Sequence, residues 1–580
     1  MCEVDTHHTG SFHLLELPHE LQLSILKHLD VQSLLACKAV CSPANASPAL
    51  GFIIDDNLRT LYQLQLEAAG MADGPQGDDS DSPLHERLHA ICDFRTAWAS
   101  GEHPVYEVTL TRSQQSGHSV WHYVPPRMAV EVACIDQQEG SVHIIRPPGL
   151  LCGLGGGEYV YGGLKDHINF RSITGFHVDL AQDLFVWCDG ITNDPPPSLH
   201  FCSLSNGFAP HPKAARPTIF SCFPTYIELF PFLEMQVLGD IVAWSMYGGD
   251  TGEQETDLLV INWKTGMVVW HMHFHNDRIY MMLISQTQLC ILHCDNMSIY
   301  LCTFDPCASA NNQPCAFQDS LAVLRLPACH DRVVKKVVYS EIGLPPTYPL
   351  GTPHDFHHDP TQSILAITIN LEYALDDTEY DSEESLTEME RFLLFIPVGT
   401  LFREYHLTHN QYANVPPPAA IEGAESEPDR IIPWEHWGPS GTRMVSVQSN
   451  RSDLHSNISA PPSVLGAYAS LAAYCPSEDL YVVTIYEIHS LSDSEASPLM
   501  ANADGAGVEL ELGQKFRRLH PEDDYIRGTK TWKDDIHTTL PYRTTTRTLP
   551  RRDTDGRARY KDQRSILLTH DGLVHINEHW

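Results

Sequence analysis

The chain has 580 residues, 42% of them hydrophobic, and its 74 acidic against 37 basic residues give a formal net charge of −37 at pH 7. An acidic surface repels phosphates, so this balance argues against a nucleic-acid partner. The length predicts a small domain followed by a large one, or one repeat-built domain. No apolar run approaches the ~20 residues that span a bilayer, and no secretory pattern begins the chain, so we expect no membrane partner and a cytoplasmic or nuclear location.

The first predicted elements are two short helices between Leu14 and Cys41. Pro18 suits the first turn of a helix, because its missing N–H costs nothing there. Asp30 can cap the second helix, which Pro43 ends. The apolar residues of the first helix share one stripe: Leu21, Ile25, Leu26 and Leu29. About forty residues bury too little surface to fold unaided, so we expect this hairpin to need a partner or a neighbouring domain.

The same stretch resembles the F-box family, whose apolar pairs recur here in order and spacing. The matching pairs are Leu17-Pro18, Glu20-Leu21, Ile25-Leu26, Leu34-Leu35 and Val40-Cys41. After them, SPANASPAL replaces the basic and aromatic residues that commonly follow in the family. The resemblance implies that the segment docks onto the Skp adaptor of a Skp–cullin–F-box ubiquitin ligase, while the rest of the chain recruits a protein substrate. The alternative is an ordinary helical cap on the downstream domain.

The adaptor contact that this resemblance implies is an apolar face. Its predicted members are Leu17, Pro18, Leu21, Ile25, Leu26, Leu34, Leu35 and Val40. Burial of one such side chain contributes about 1.5–3 kcal/mol before ordering costs. Part of the set must pack inside the hairpin, so the sequence does not separate inner from outer residues.

Two longer helices are predicted next, over residues 57–71 and about 84–98. Both have apolar residues at helical spacing, and Gly70 can end the first. They are similar to the segment that follows the F-box in many fungal F-box proteins, which implies a helical stalk.

From about Val105 the pattern changes to short β-rich runs separated by turns. A typical pair flanks Lys264-Thr265-Gly266, where glycine can supply the positive φ of a hairpin turn. Many strands without crossover helices leave a propeller, a sandwich or paired barrels. We favour a propeller of about six to eight blades, with the last strand beside an early one near Val105. The acidic or Pro-rich runs 376–390, 414–430 and 490–507 and the basic run 543–564 are predicted to be solvated loops.

Three histidine patterns suggest metal chemistry. His85-Glu86-Arg87-Leu88-His89 matches HExxH, in which two His one helical turn apart bind zinc and Glu polarises water. His271, His273 and His275 alternate on one strand and so share a face. His354, His357 and His358 lie in a predicted loop. Each also fits ordinary packing, and we prefer that interpretation.

Other signals of enzymatic chemistry are weak. The glycine-rich stretch Cys152–Gly163 leads into a β-like run, so it predicts a turn and not a phosphate cradle. The 16 cysteines contain no CxxC pair and are interpreted as reduced core residues. The sequence therefore predicts no catalytic site, no metal and no cofactor.

Together these patterns predict an α+β multidomain chain: an all-α F-box module at 12–56, a helical stalk at 57–103, and an all-β, propeller-like domain at 104–580. The predicted function is that of a non-catalytic substrate adaptor, linked through a Skp adaptor to a cullin whose other partners transfer ubiquitin. One alternative is a propeller-type interaction scaffold without a ligase role. A remote alternative is a zinc hydrolase using the HERLH motif.

Overall fold

The structure is a computed structural model, and it describes most of the chain from Leu17 to His579. The described residues are 17–26, 58–74, 83–111, 122–123, 132–136, 140–151, 153–166, 173–189, 197–221, 232–248, 255–275, 278–308, 322–342, 354–374, 387–412, 431–447, 462–475, 480–488, 515–518, 525–526, 529–540, 542–550, 565–569 and 572–579.

Five α-helices lie in this part of the chain. They are α1 (His19–Leu26), α2 (Leu58–Ala68), α3 (Leu84–Ser100), α4 (Val398–Tyr412) and α5 (Trp434–Gly441). The N–H of Gly101, whose φ is 73°, bonds the Trp98 carbonyl and ends α3 in a left-handed cap. The helices predicted over 57–71 and 84–98 are thus present as α2 and α3, whereas α4 and α5 were not predicted.

The same residues form 33 strands. They are β1 (Met71–Asp73), β2 (Val105–Thr111), β3 (His122–Tyr123), β4 (Val132–Asp136), β5 (Ser141–Arg146), β6 (Gly157–Tyr161), β7 (Ile173–Asp179), β8 (Leu184–Asp189), β9 (Ser198–Ser203), β10 (Thr218–Phe220), β11 (Phe232–Leu238), β12 (Ile241–Gly248), β13 (Glu255–Asn262), β14 (Met267–His275), β15 (Ile279–Ser285), β16 (Gln288–His293) and β17 (Ser298–Thr303). The later strands are β18 (Ala322–Arg325), β19 (Val333–Ile342), β20 (Phe356–His358), β21 (Ile364–Ala374), β22 (Thr387–Pro397), β23 (Ile431–Ile432), β24 (Arg443–Ser446), β25 (Ser463–Leu465), β26 (Tyr468–Cys475), β27 (Leu480–Ile488), β28 (Lys515–Arg518), β29 (Tyr525–Ile526), β30 (Ile536–His537), β31 (Tyr542–Pro550), β32 (Ser565–Leu568) and β33 (Leu573–His579).

Seven sheets follow one another along the chain and are called blades 1 to 7 here. Blade 1 contains β3–β6, blade 2 contains β7–β10, blade 3 contains β11–β14, and blade 5 contains β19, β21, β22 and β24. Each of these four blades is an antiparallel meander. Blade 4 contains β15–β18, with β23 added in parallel beside β18. Blade 6 contains β25–β27 and β31, with β28 added beside β31. Blade 7 contains β32, β33 and β2.

The blades stack side by side as in a propeller. From blade 2 onward, the first strand of each blade contacts the first strand of the next. Six apolar layers fill the spaces between successive blades and form the core. Because each strand alternates its side chains between the two faces of its sheet, both faces of an inner blade reach such a layer. This propeller-like arrangement, rather than a sandwich or paired barrels, is the fold of the β-rich part.

The last strand joins the N-terminal and C-terminal parts of the chain. Strand β2 runs parallel to β33 from the pair Val105 and Leu573 to the pair Thr111 and His579. The prediction that the C-terminal strand lies beside an early strand near Val105 is confirmed.

The hairpin predicted around Lys264-Thr265-Gly266 is also confirmed. Strands β13 and β14 pair on either side of it, and Gly266 has a φ of 69°. The Asn262 carboxamide oxygen accepts the N–H groups of Lys264 and Thr265 at 3.1 and 3.2 Å, which satisfies the turn backbone locally.

Two of the runs predicted to be solvated loops are partly strands. Strand β31 (Tyr542–Pro550) contains the first eight residues of the basic run. It pairs with β27 along its whole length, and its β-branched threonines suit a pleated sheet. Thr387–Glu390 of the acidic run begins β22. The prediction was wrong for these residues. The other parts of those runs, and the runs 414–430 and 490–507, lie outside the described residues.

Candidate functional site

The N-terminal helix α1 presents apolar side chains to solvent. The Pro18 carbonyl accepts the N–H groups of Leu21 and Gln22 at 3.0 and 3.1 Å, so the helix begins at the predicted proline. The Gln22 side chain is buried and donates from Nε2 to the Leu17 carbonyl at 2.8 Å. In contrast, Leu21 is 51% exposed and Ile25 is 40% exposed. Four residues apart, they lie on one helix face.

The structure places half of the predicted adaptor-contact set. Pro18 is exposed and Leu17 is half-buried. Leu26 belongs to α1, but its side chain lies outside the description. Leu34, Leu35, Val40 and the SPANASPAL segment also lie outside the described residues. Of the four described members, Pro18, Leu21 and Ile25 are exposed and Leu17 is half-buried.

The stalk is attached to the propeller by a small sheet. Strand β1, directly after α2, pairs antiparallel with β20, which lies in the connection between β19 and β21 of blade 5. The N–H of Gly74 bonds the Asp355 carbonyl, and the N–H of Asp359 bonds the Gly70 carbonyl, each at 3.0 Å. Backbone hydrogen bonds thus fix the end of α2 on blade 5.

Apolar side chains of the stalk complete one layer of the propeller core. Those of α2, β1 and α3 pack with side chains of blades 6 and 7 and with Phe356 of β20. The fully buried stalk residues are Tyr62, Leu66, Ala69, Met71, Ile91, Phe94 and Trp98. The stalk is therefore packed into the propeller and is not a free spacer.

A polar network crosses the same contact. Arg87 is buried; it forms an ion pair with Asp73, donates to the Tyr62 hydroxyl at 3.1 Å, and lies 3.5 Å from the Asp355 carbonyl. The Tyr62 hydroxyl in turn donates to Asp73 at 3.0 Å. Burial raises the pKa of Tyr62, with Arg87 opposing that rise. The network links α2, β1, α3 and blade 5 through one guanidinium.

This placement explains the HERLH sequence as packing. Its central arginine is the buried Arg87 of the network, whereas His89 is exposed and the His85 side chain lies outside the description. Within the described ranges, no three His, Cys, Asp or Glu side chains come together to hold a metal ion. The buried arginine was not singled out from the sequence, where an arginine on a helix ordinarily predicts a solvated position.

The alternating histidines of β14 flank a buried carboxylate. Asp257 of β13 accepts a hydrogen bond from His271 Nε2 at 2.5 Å and lies 3.6 Å from His273 Nδ1. Met272 and Phe274 point the other way, into the layer between blades 3 and 4. The His275 side chain lies outside the description. His271 and His273 thus contact the Asp257 carboxylate, which is 2% exposed, and so stabilise this buried charge.

A Ser, His and Asp cluster in blade 2 was missed by sequence reasoning. Ser198 Oγ lies 2.6 Å from Asp189 and 2.9 Å from His200 Nε2. The same Nε2 lies 3.1 Å from Asp189, while Nδ1 faces the Thr218 hydroxyl at 3.2 Å. A nucleophilic triad needs the serine and the carboxylate on opposite ring nitrogens. Here both meet Nε2, so the cluster ties strands together instead of activating Ser198.

The available sequence signal for this cluster is a short repeat. Ser-x-His begins the third strand of blade 2 at Ser198 and of blade 1 at Ser141, where Ser141 Oγ lies 2.9 Å from His143 Nε2. Two occurrences at one blade position indicate a structural role in the repeated unit.

The remaining two patterns lie close to the stalk contact. His357 and His358 are in strand β20, so the prediction of a loop was wrong for them. Burial lowers the pKa of His357, and the neighbouring His354 acts in the same direction. The glycine-rich stretch is a turn, as predicted, with paired backbone bonds between Gly149 and Leu154 at 2.9 and 2.8 Å.

Another buried imidazole stands where α3 leads into β2. His103 stacks on Trp98 at a centroid distance of 4.9 Å, and its carbonyl accepts a hydrogen bond from Arg547 Nη1 at 2.7 Å. Burial lowers the pKa of His103 to about 3, and the positive charge of Arg547 acts in the same direction. This imidazole is neutral at pH 7 and packs as an aromatic ring.

Comparison with known proteins identifies the N-terminal segment. The F-box domain family matches residues 14–46, which include α1. A search of curated proteins returned no match. None of the helices in the described segments is long and apolar enough to cross a membrane.

Solved structures give distant likenesses. The WD40 domain of coronin from Toxoplasma gondii is 10% identical, covers 73% of this chain and 80% of its own, and has a TM-score of 0.30. Hsv2 from Kluyveromyces lactis is 8% identical, with 45% and 81% covered and a TM-score of 0.19. Oligopeptidase B from Leishmania major is 10% identical, with 71% and 59% covered and a TM-score of 0.19. At such scores the propeller assignment rests on the strand pairing described above.

Proposed function

Because the chain is an F-box protein, we propose that it is the substrate-recognition subunit of a Skp–cullin–F-box ubiquitin ligase. The observation that carries this proposal is the F-box match at 14–46 together with the exposed Leu21 and Ile25 on its first helix. Apolar side chains left in solvent on a short helix favour a protein partner.

The proposed adaptor contact is the apolar face predicted from the sequence. Its exposed described residues are Pro18, Leu21 and Ile25. The other members are proposed to contribute to the same contact or to the packing beneath it: Leu17, Leu26, Leu34, Leu35 and Val40. Ubiquitin transfer would be performed by partners bound to the cullin. The role of this chain is then to hold a substrate near them, which accelerates transfer through proximity.

The propeller is the proposed substrate-binding part. Its blades are rigid antiparallel sheets, and loops on such a scaffold commonly carry binding residues. The stalk packs into blades 5 to 7, so a substrate held by the propeller would be held in a fixed position relative to α3.

Complex formation tests the proposal. The full-length chain, mixed with a purified Skp-type adaptor, is expected to elute with it as one species on size exclusion, and addition of a cullin is expected to enlarge that species. If the folded chain and the adaptor elute separately, the ligase assignment fails and the interaction-scaffold alternative takes its place.

A further inference from the structure

Two buried histidines stand at the ends of an aromatic stack between the stalk and the propeller. His103 stacks on Trp98 of α3 at 4.9 Å with the rings 16° apart. Trp98 meets Tyr468 of blade 6 at 4.6 Å, and Tyr468 meets His358 of β20 edge-on at 6.0 Å. Both imidazoles are 1% exposed. The stack thus runs from the end of the stalk, through blade 6, to the strand that pairs with β1.

The surroundings of His103 disfavour a positive charge. Its two ring nitrogens are buried without a hydrogen-bond partner in the structure. The charged group that faces it from β31 is Arg547, a cation, and the adjacent Glu102 is exposed to solvent. A second cation placed here would be desolvated and repelled.

The site of His358 is crowded and flanked by mixed charges. A Cβ atom at Gly466 would lie 2.4 Å from its Nδ1, so the ring fills the space beside the turn between β25 and β26. Met71 lies opposite it across the β1–β20 pair. The titratable and charged groups around this end of the stack are His354, His357, Asp355 and Asp359 from the same segment, Tyr468 and Glu487 from blade 6, Arg543 from β31, and Arg87 and Arg95 from α3.

We propose that the stalk–propeller contact is an acid-sensitive coupling, in which protonation of the buried His103 releases the stalk from blades 5 to 7 before the blades themselves unfold. The His103 imidazole is packed as a neutral ring at pH 7. When the contact opens, water can solvate the protonated ring, so acid favours the open state. None of the described residues of α1 is among the apolar side chains of this contact, so the coupling is separate from the proposed adaptor contact.

The size of the effect follows for His103. With a pKa of about 3 in the closed contact and 6.5 when solvated, lowering the pH from 7.5 to 5.0 shifts the opening equilibrium about 30-fold toward the open state. Because the pKa of His103 is lower in the closed contact than in the open one, the stabilisation of the closed contact is fully present above pH 6.5 and is lost as the pH falls toward 3.

Hydrogen exchange of the full-length protein, read by mass spectrometry and corrected for the intrinsic effect of pH, tests the proposal. Protection of α3 and β1 is expected to fall about 30-fold between pH 7.5 and 5.0, while protection of the blade 3 strands β13 and β14 falls much less. Equal losses in the stalk and in blade 3 would overturn the proposal, because they would indicate uniform destabilisation.

Variants assign the effect to the imidazole. His103→Phe keeps the stack on Trp98 but cannot be protonated, so the acid-induced loss at α3 should shrink. The matched control His89→Phe changes an exposed histidine of α3 and should behave as wild type. If His103→Phe does not fold, His103→Gln supplies a smaller neutral side chain for the same comparison. An unchanged loss in the folded variant would overturn the role of His103; if neither variant folds, the wild-type comparison of stalk and blade 3 decides alone.

Discussion

The helices α1 and α3 both carry apolar side chains, yet they use them in opposite ways. Phe94 and Trp98 of α3 are almost completely buried against blade 6 and β20. Leu21 and Ile25 of α1 remain about half exposed. The propeller covers the apolar side chains of α3, whereas no described part of the chain covers Leu21 and Ile25 of α1. The difference fits a structural role for α3 and the proposed adaptor contact for α1.

The largest effect on stability is expected from Phe94→Ala. Phe94 is fully buried and contacts Trp98, Phe356 and Tyr468, so its loss leaves a cavity in the stalk contact. We expect a loss of ~3–5 kcal/mol. Denaturant unfolding followed by tryptophan fluorescence measures it. A loss below ~1 kcal/mol would mean that α3 is not packed into the propeller as described.

A smaller loss is expected from Arg87→Met, which keeps the side-chain length and removes the charge. Asp73 is partly exposed and can be solvated, so the expected loss is ~1–3 kcal/mol and not that of a fully buried pair. Tyr62→Phe removes one acceptor of the same guanidinium and should cost ~1 kcal/mol. Thermal unfolding compares the loss of stability in the two variants. A larger loss in Tyr62→Phe than in Arg87→Met would mean that the Tyr62 hydroxyl, and not the guanidinium, is the main group of the network.

The smallest effect on stability is expected from Leu21→Ala and Ile25→Ala. Substitutions of exposed side chains usually change stability by less than ~0.5 kcal/mol. The same unfolding measurement compares them directly with Phe94→Ala. If either variant lost as much as Phe94→Ala, α1 would be part of the folded core, and the contrast between the two helices would disappear.

Local patterns predicted much of this architecture. Helical spacing located α2 and α3, because burial of one helix face imposes a period on the sequence. Nearly continuous apolar runs such as DLLVINW and MVVWHMHF located propeller strands, because a strand of an inner blade is buried on both faces. The outer strand β31 was assigned to a loop, since YRTTTRTLP has few apolar residues and is held by its pairing with β27. The helix α4 was also missed, although its Val398 and Leu401 complete the layer between blades 4 and 5.

The candidate site was predicted in part. The F-box pattern located α1, because the apolar spacing of a helix is encoded in a short stretch, but the exposure of Leu21 and Ile25 could be read only from the structure. The stalk contact was not predictable in the same way. Tyr62 and Arg87 meet Asp355 across 293 and 268 residues of sequence, and His103 is buried by Arg547 and its neighbours from β31. Such contacts join segments that are far apart in the sequence, so no local pattern encodes them.

The central claim, that α1 is a recognition surface, is tested most directly by the affinity of the full-length chain for a Skp-type adaptor. The double variant Leu21→Asp and Ile25→Asp places two charges on the exposed face, and calorimetry should show a loss of about 100-fold or more. Leu407→Asp is the matched control, because Leu407 of α4 is also 51% exposed. It should bind within about 2-fold of wild type, a change worth less than ~0.5 kcal/mol. If wild type and the double variant bind the adaptor equally, the exposed face of α1 is not the contact and the account is contradicted.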